Sequence, residues 1–228
     1  MIPLGDSEAE RRLTPSNTLL IGANLAVFAL EIRLGARAGR ELARFALIPV
    51  AVSRAHLAAH QLRVLATLVT STFLHADVLH IAGNMLYLFI FGPAVEERLG
   101  HARFLAFYLV AGIVAGLATV AMAPTSKVAV IGASGAIAGV LGAYLALFPA
   151  ARITTILPVF IFIQFIHVPA ILYLLLWFAV QLYAGLTSGG AGPLIGGVAW
   201  WAHVGGFLFG VGVGPILARR TAASRRRR

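Results

Sequence analysis

Four polar residues stand out within the apolar segments of this 228-residue chain: Ser134, His203, Asn84 and His80. A serine hydroxyl is a nucleophile for acyl transfer, and a neutral histidine such as His203 can accept its proton and return it to the leaving amine. Asn84 and His80 are four residues apart, hence on one face of a helix, where both could donate hydrogen bonds to a developing oxyanion. Together these groups could carry out peptide-bond hydrolysis.

The neighbourhood of Ser134 is rich in glycine. Gly132 and Gly135 flank it, so a substrate can approach and backbone amides at a helix start can assist the oxyanion. Taken singly, a serine in a membrane span more often bonds a backbone carbonyl or bridges helices. No carboxylate lies in an apolar segment near Ser134 or His203, so the residues indicate a Ser-His dyad.

Composition indicates a membrane protein. Hydrophobic residues make up 60% of the chain and charged residues only 11%, against about 25% charged in soluble domains. The absence of cysteine excludes disulfides and thiol nucleophiles, and no His-Glu-x-x-His helix is present, so we expect neither a metal nor a cofactor. The net charge is +10, and we interpret the arginines at 225–228 as a contact with anionic lipid and not with nucleic acid.

Six apolar segments predict an all-α, polytopic bundle of six transmembrane helices. Their predicted bounds are residues 19–34, 78–99, 104–122, 130–148, 169–186 and 198–217. Residues 1–16 are expected to form a short, exposed polar tail, 17–218 the membrane domain and 219–228 a basic tail.

Three connections are harder to interpret. The long first loop, about 35–77, is expected to hold short helices lying at the membrane surface. Residues 150–168 are β-branched but interrupted by Pro158 and Gln164, which suggests either a hairpin or an interfacial segment. The glycine-rich stretch 188–197 should be a loop able to move, and with the fifth span it is a candidate gate for substrate.

Six spans place both termini on one side of the membrane. Eleven of the 18 basic residues then lie on that side, which favours cytoplasmic termini in a cell (plasma or inner) membrane. Arginines in the first loop argue against this orientation.

Four motifs in order resemble those of the rhomboid intramembrane serine proteases. They are Phe73-Leu74-His75 leading to His80-Ile81-Ala82-Gly83-Asn84-Met85, Gly92-Pro93-Ala94-Val95-Glu96-Glu97-Arg98-Leu99-Gly100, Gly132-Ala133-Ser134-Gly135, and Ala202-His203-Val204-Gly205-Gly206 with Gly210. The match runs from the end of the first loop through the sixth span. It implies six helices around a water-filled cavity that opens to the outer face, and cleavage of transmembrane proteins.

The resemblance also assigns roles. It implies that Ser134 is the nucleophile, that His203 is its general base, and that Asn84, His80 and the Ser134 amide form the oxyanion site. The positions that match the family's structural motifs are Glu96, Arg98, Gly132, Gly135, Gly206 and Gly210.

One position departs from the family pattern. Many bacterial members carry a tyrosine four residues after the serine, where its ring stacks on the catalytic histidine, and this chain has Ala138 there. The residue that orients His203 is therefore left open, with Trp200 and Trp201 as candidates.

The predicted function is that of a serine endopeptidase, a hydrolase acting within the membrane. Its expected partners are the lipid bilayer and transmembrane proteins with small or helix-weakening residues near the outer interface. One alternative is a non-catalytic relative that binds membrane segments for quality control. A transporter is the other, although no duplicated half is apparent.

Overall fold

The computed structural model describes residues 2–10, 13–55, 61–159, 162–188 and 199–225. Apart from Ser188, the glycine-rich loop predicted at 188–197 lies outside these residues.

Helices dominate the described chain. In order they are α1 (Pro15–Leu34), α2 (Ala38–Glu41), α3 (Pro49–Ser53), α4 (Gln61–Thr70), α5 (Val78–Leu99), α6 (His101–Met122), α7 (Ser134–Leu147), α8 (Ala170–Thr187) and α9 (Trp200–Arg225). Short 3-10 turns lie in the described part of the first loop, at Gly35–Arg37, Ala43–Phe45 and Ser71–Phe73. The prediction of short helices in that loop is confirmed, and their position at a membrane surface stays a prediction.

The fold is the polytopic helical bundle that the sequence predicts. Five described helices, those of α1, α5, α6, α8 and α9, are long and apolar enough to cross a membrane. Helix α7 is apolar but has only 14 residues. It therefore extends roughly 21 Å, which is less than the hydrocarbon core of about 30 Å.

The predicted start of the fourth span is wrong. We expected a helix over 130–148, but α7 begins at Ser134. The chain before it is extended, because Val130 pairs with Leu47 in an antiparallel bridge whose N–H to O distances are 2.7 and 3.1 Å. Gly132 then has a φ of +120°, which favours glycine. The extended segment places Ser134 at the helix start and not in its interior.

A three-stranded antiparallel sheet joins an N-terminal strand to a hairpin that lies between α7 and α8 in the chain. The strands are β1 (Ile2–Asp6), β2 (Arg152–Val159) and β3 (Phe162–Pro169), and β2 is central. Of the two interpretations of 150–168, the structure therefore has the hairpin. The expectation that residues 1–16 form a short, exposed tail is wrong for its first part, because β1 pairs with β2 from Ile2↔Ile156 to Asp6↔Ile153.

Helix α7 is the centre of the bundle, and residues Gly135–Tyr144 are all buried. Helices α7 and α9 approach so closely that a Cβ atom on Gly206 or Gly210 would overlap the backbone carbonyl oxygen of Gly135 or Gly139. In lipid, such close backbone contact provides the dispersion energy that holds helices together. The two helices that carry Ser134 and His203 are thereby packed directly against each other.

Glu96 joins α5 to the start of α1. Its fully buried carboxylate accepts hydrogen bonds from the backbone amides of Ser16 and Asn17 at 2.9 and 2.7 Å, and from the Thr14 hydroxyl at 2.6 Å. The first amides of a helix have no partner within the helix, so Glu96 caps α1 from a neighbouring helix. The neighbouring motif residue, Arg98, lies over the ring of Phe148 at 5.0 Å.

Candidate active site

Ser134 and His203 are in hydrogen-bond contact. Ser134 is the first residue of α7 and His203 lies in the first turn of α9. His203 Nε2 is 2.8 Å from Ser134 Oγ, and His203 is buried. This is the distance at which a histidine can take the proton of an attacking hydroxyl.

The second ring nitrogen of His203 contacts a residue that the sequence reasoning missed. Gln181 of α8 lies with its Oε1 2.7 Å from His203 Nδ1, while its Nε2 donates to the carbonyl oxygen of Trp177 at 3.2 Å. Like Ser134, Gln181 is a polar residue in an apolar segment, and that signal should have placed it among the candidates.

Among the aromatic rings of the described residues, that of Trp177 lies closest to His203. Its centroid is 5.7 Å from that of the imidazole with an interplanar angle of 37°, whereas Trp200 meets the imidazole edge-on at 6.3 Å and 90°. Trp201 instead lies beside Gly185, where an added Cβ would meet its ring at 3.3 Å. The ring that packs against the imidazole plane is thus supplied by α8.

Asn84 and His80 lie beside Gly132, two residues before Ser134. The amide of Ala76 donates to His80 Nδ1 at 3.4 Å, so the ring proton is on Nε2. A Cβ on Gly132 would lie 2.7 Å from His80 Nε2 and 3.8 Å from Asn84 Nδ2. Asn84 Nδ2 is buried without an acceptor among the described residues. Two side-chain donors therefore converge on the segment that leads into Ser134.

His75 packs behind His80, with ring centroids 5.1 Å apart. Burial, reinforced by the neighbouring His80, lowers the pKa of His75 to about 4. The His75 imidazole is therefore neutral at pH 7.

A small cavity lies beside Ser134. Its walls are mostly small side chains and glycines, including Ser71, Thr72, Gly112 and Gly116. Its volume is about 20 Å³, so only a small group fits next to the hydroxyl.

Comparison with known proteins gives a family for the chain. Residues 62–220 match the family model described as the Rhomboid domain. Over 78 residues the chain is 45% identical to the "Putative rhomboid protease YdcA" of Bacillus subtilis, covering 34% of this chain and 39% of that protein. It is 30% identical over 166 residues to "Rhomboid protein 1, mitochondrial" of Saccharomyces cerevisiae, covering 71% of this chain and 44% of that protein.

A third relative is a plastid protein. "Rhomboid-like protein 11, chloroplastic" of Arabidopsis thaliana is 34% identical over 161 residues, covering 68% of this chain and 54% of that protein. The chain thus spans about half the length of these curated relatives, or less.

Proposed function

The chain belongs to the rhomboid family, and from this we propose that it is an intramembrane serine endopeptidase that cleaves the transmembrane segments of other proteins. The observation that carries the proposal is the 2.8 Å contact between Ser134 Oγ and His203 Nε2 at the start of a buried helix. Some relatives are named as proteases and others only as rhomboid-like, so the catalytic assignment is drawn from the residues of this chain.

In the proposed reaction, Ser134 Oγ attacks the carbonyl carbon of the scissile peptide bond while His203 Nε2 takes the hydroxyl proton. The tetrahedral intermediate collapses, the C–N bond breaks, and His203 returns the proton to the leaving amine. Water then attacks the acyl-enzyme while His203 accepts a proton from it. The ester C–O bond breaks, the new carboxyl group leaves, and His203 returns the proton to Ser134 Oγ.

We assign the oxyanion site to Asn84 Nδ2, His80 Nε2 and the Ser134 backbone amide. Two features support this. The Nε2 proton of His80 follows from the Ala76 contact, and the Ser134 amide is one of the first amides of α7, which have no partner within the helix. Donors held in place before the reaction stabilise the charge that develops on the carbonyl oxygen.

The substrate is proposed to be a membrane-spanning segment with a small residue at the cleaved bond. The small cavity beside Ser134 supports a small side chain. Helix α7 is also shorter than the membrane core, so Ser134 is reached from one surface and only locally unwound substrate can present its carbonyl there.

For topology we propose cytoplasmic termini in a cell membrane, with the C-terminal arginines near anionic lipid. The positive-inside rule supports this, because that end of the bundle carries Arg98, Arg103, Arg152, Arg219 and Arg220 in addition to the arginine tail. The mitochondrial and chloroplast relatives leave the choice of membrane to experiment.

The test is cleavage of a transmembrane reporter in liposomes by wild type, Ser134→Ala and His203→Ala. Ser126→Ala, in the turn before α7, is the matched control for loss of a hydroxyl. We expect wild type and Ser126→Ala to cut and the two active-site variants to be inert. Cleavage that persists in Ser134→Ala would overturn the proposal, and a folded wild type that cuts no reporter would favour the non-catalytic alternative.

A further inference from the structure

We propose that Gln181 and Trp177 of α8 are positioning residues for His203. Gln181 selects the tautomer of the neutral imidazole ring, and Trp177 holds the plane of the ring. This inference rests on the proposed function, because the orientation it explains is that of His203 toward Ser134.

The hydrogen bonds of Gln181 determine which way its amide points. Its Nε2 can only donate, and the carbonyl oxygen of Trp177 at 3.2 Å can only accept. Gln181 Oε1, which can only accept, therefore faces His203 Nδ1 at 2.7 Å. The opposite amide orientation would place two oxygen atoms in contact.

This arrangement sets the tautomer of His203. Because Gln181 Oε1 is an acceptor, His203 Nδ1 must carry the proton, and the lone pair is then on Nε2, 2.8 Å from Ser134 Oγ. An aspartate performs the same task in Ser-His-Asp triads. Within a membrane a neutral amide does so without the cost of a buried carboxylate.

Trp177 acts on the same ring from the same helix. It lies four residues before Gln181, so the two side chains share one face of α8. Its ring contacts both His203 at 5.7 Å and Phe207 at 5.9 Å, so it packs against α9 alongside the imidazole. With Ala138 on α7 supplying no ring, α8 provides both restraints on His203.

The first experiment separates positioning from structure by steady-state kinetics on the reporter. Gln181→Leu keeps the bulk but loses the acceptor, and we expect kcat to fall about 10-fold or more with KM within about twofold. Gln181→Glu restores an acceptor. It should recover most of kcat and move the acidic limb of the pH–rate profile to higher pH, because a carboxylate stabilises the imidazolium. The titratable group that acts on His203 from the facing helix α5 is His80, which is unchanged in both variants.

Trp177 has a matched control in the next residue. Phe178 also stacks on Phe207, with ring centroids 4.7 Å apart, but within the described part of the chain its ring does not contact His203. Trp177→Leu should lower kcat several-fold, a factor that corresponds to about the interaction energy of one aromatic pair. Phe178→Leu should leave kcat unchanged. Equal losses of kcat in the two variants would overturn the role of Trp177.

A readout that does not depend on activity is the ¹⁵N NMR spectrum of the histidine rings. In Ser134→Ala protein we expect His203 to be protonated at Nδ1, and adding Gln181→Leu should give a mixture of tautomers. If wild type cleaves nothing, the proposed function fails while this spectrum still decides the role of Gln181. Gln181→Leu with unchanged kcat, or with an unchanged His203 tautomer, would refute it.

Discussion

The contact between α7 and α9 can be tested by the same substitution at two glycines of one helix. Gly210 faces α7, where a Cβ would overlap Gly139 O and lie only 2.8 Å from the backbone nitrogen of Ala143. Gly212, two residues further, has nothing within 4 Å of its added Cβ. Gly210→Ala and Gly212→Ala therefore differ in packing alone.

The expected loss of stability in Gly210→Ala follows from the atoms that must move to make room for the methyl group. The partners of Gly210 are backbone atoms of α7, so a methyl group can be accommodated only if the helices separate until its overlap with Gly139 O is relieved and the distance reaches the 3.4 Å at which ordinary contact begins. Overpacking of this kind costs about 1–3 kcal/mol. Both variants gain the same helix propensity, about 0.5–1 kcal/mol, so the difference between them is the packing cost.

The assay is thermal unfolding of the purified protein in detergent, followed by intrinsic fluorescence. At about 2–4 °C per kcal/mol for a chain of this size, Gly210→Ala should unfold roughly 2–12 °C below Gly212→Ala. Gly212→Ala should match or slightly exceed wild type. Equal melting temperatures for the two variants would refute the close backbone contact.

Three further predictions concern other parts of the molecule. Asn84→Ala should lower kcat about 100-fold or more with little change in KM, while Gly83→Ala, which meets nothing within 4 Å, should be unaffected in the same assay. In Glu96→Gln the new side-chain NH2 group faces a backbone amide or hydroxyl that also donates, so the free energy of unfolding, measured by chemical denaturation, should fall by about 2–3 kcal/mol. The same substitution at its half-exposed neighbour Glu97 should lower it by about 1 kcal/mol or less. The pKa of His75 is lowered to about 4, so between pH 6.5 and 4 the unfolded chain binds a proton that the folded chain does not, and stability falls as pH falls through that window. In His75→Asn the melting temperature should therefore fall less steeply over this range than in wild type. Equal slopes for the variant and wild type would contradict this.

Helices bounded by local signals were predictable from the sequence. Helix α5 has the predicted bounds, because Asp77 caps its start by accepting from the His80 amide at 2.8 Å and Gly100, with a φ of +83°, ends it. Helix α8 differs from its prediction by one residue at each end. In both, the change from apolar to polar or turn-forming residues coincides with the boundary.

Boundaries set by distant contacts were not predictable. The start of α7 depends on the pairing of Val130 with Leu47, which are far apart in the chain. Helix α9 continues past the predicted residue 217, where the Thr221 hydroxyl donates to the Leu99 carbonyl oxygen at 2.7 Å. Hydropathy cannot detect a polar last turn that packs against another helix.

The candidate site also has one part that could be predicted from the sequence and one part that could not. Ser134, His203, Asn84 and His80 were identified because polar residues are rare in apolar segments, and the structure brings Ser134 and His203 into contact. Their catalytic roles stay a proposal. The neighbour of His203 Nδ1 depends on how α8 and α9 face each other, so no spacing in the sequence could pair it with Gln181.

The most direct test of the central claim is covalent labelling of the purified protein by a fluorophosphonate. If Ser134 is a nucleophile activated by His203, its oxygen should form a bond to phosphorus with loss of fluoride, His203 taking the hydroxyl proton. Mass spectrometry should then find the adduct on Ser134 in wild type and little or none in folded His203→Ala. An adduct on a different residue, or equal labelling of Ser134 in His203→Ala, would contradict the account.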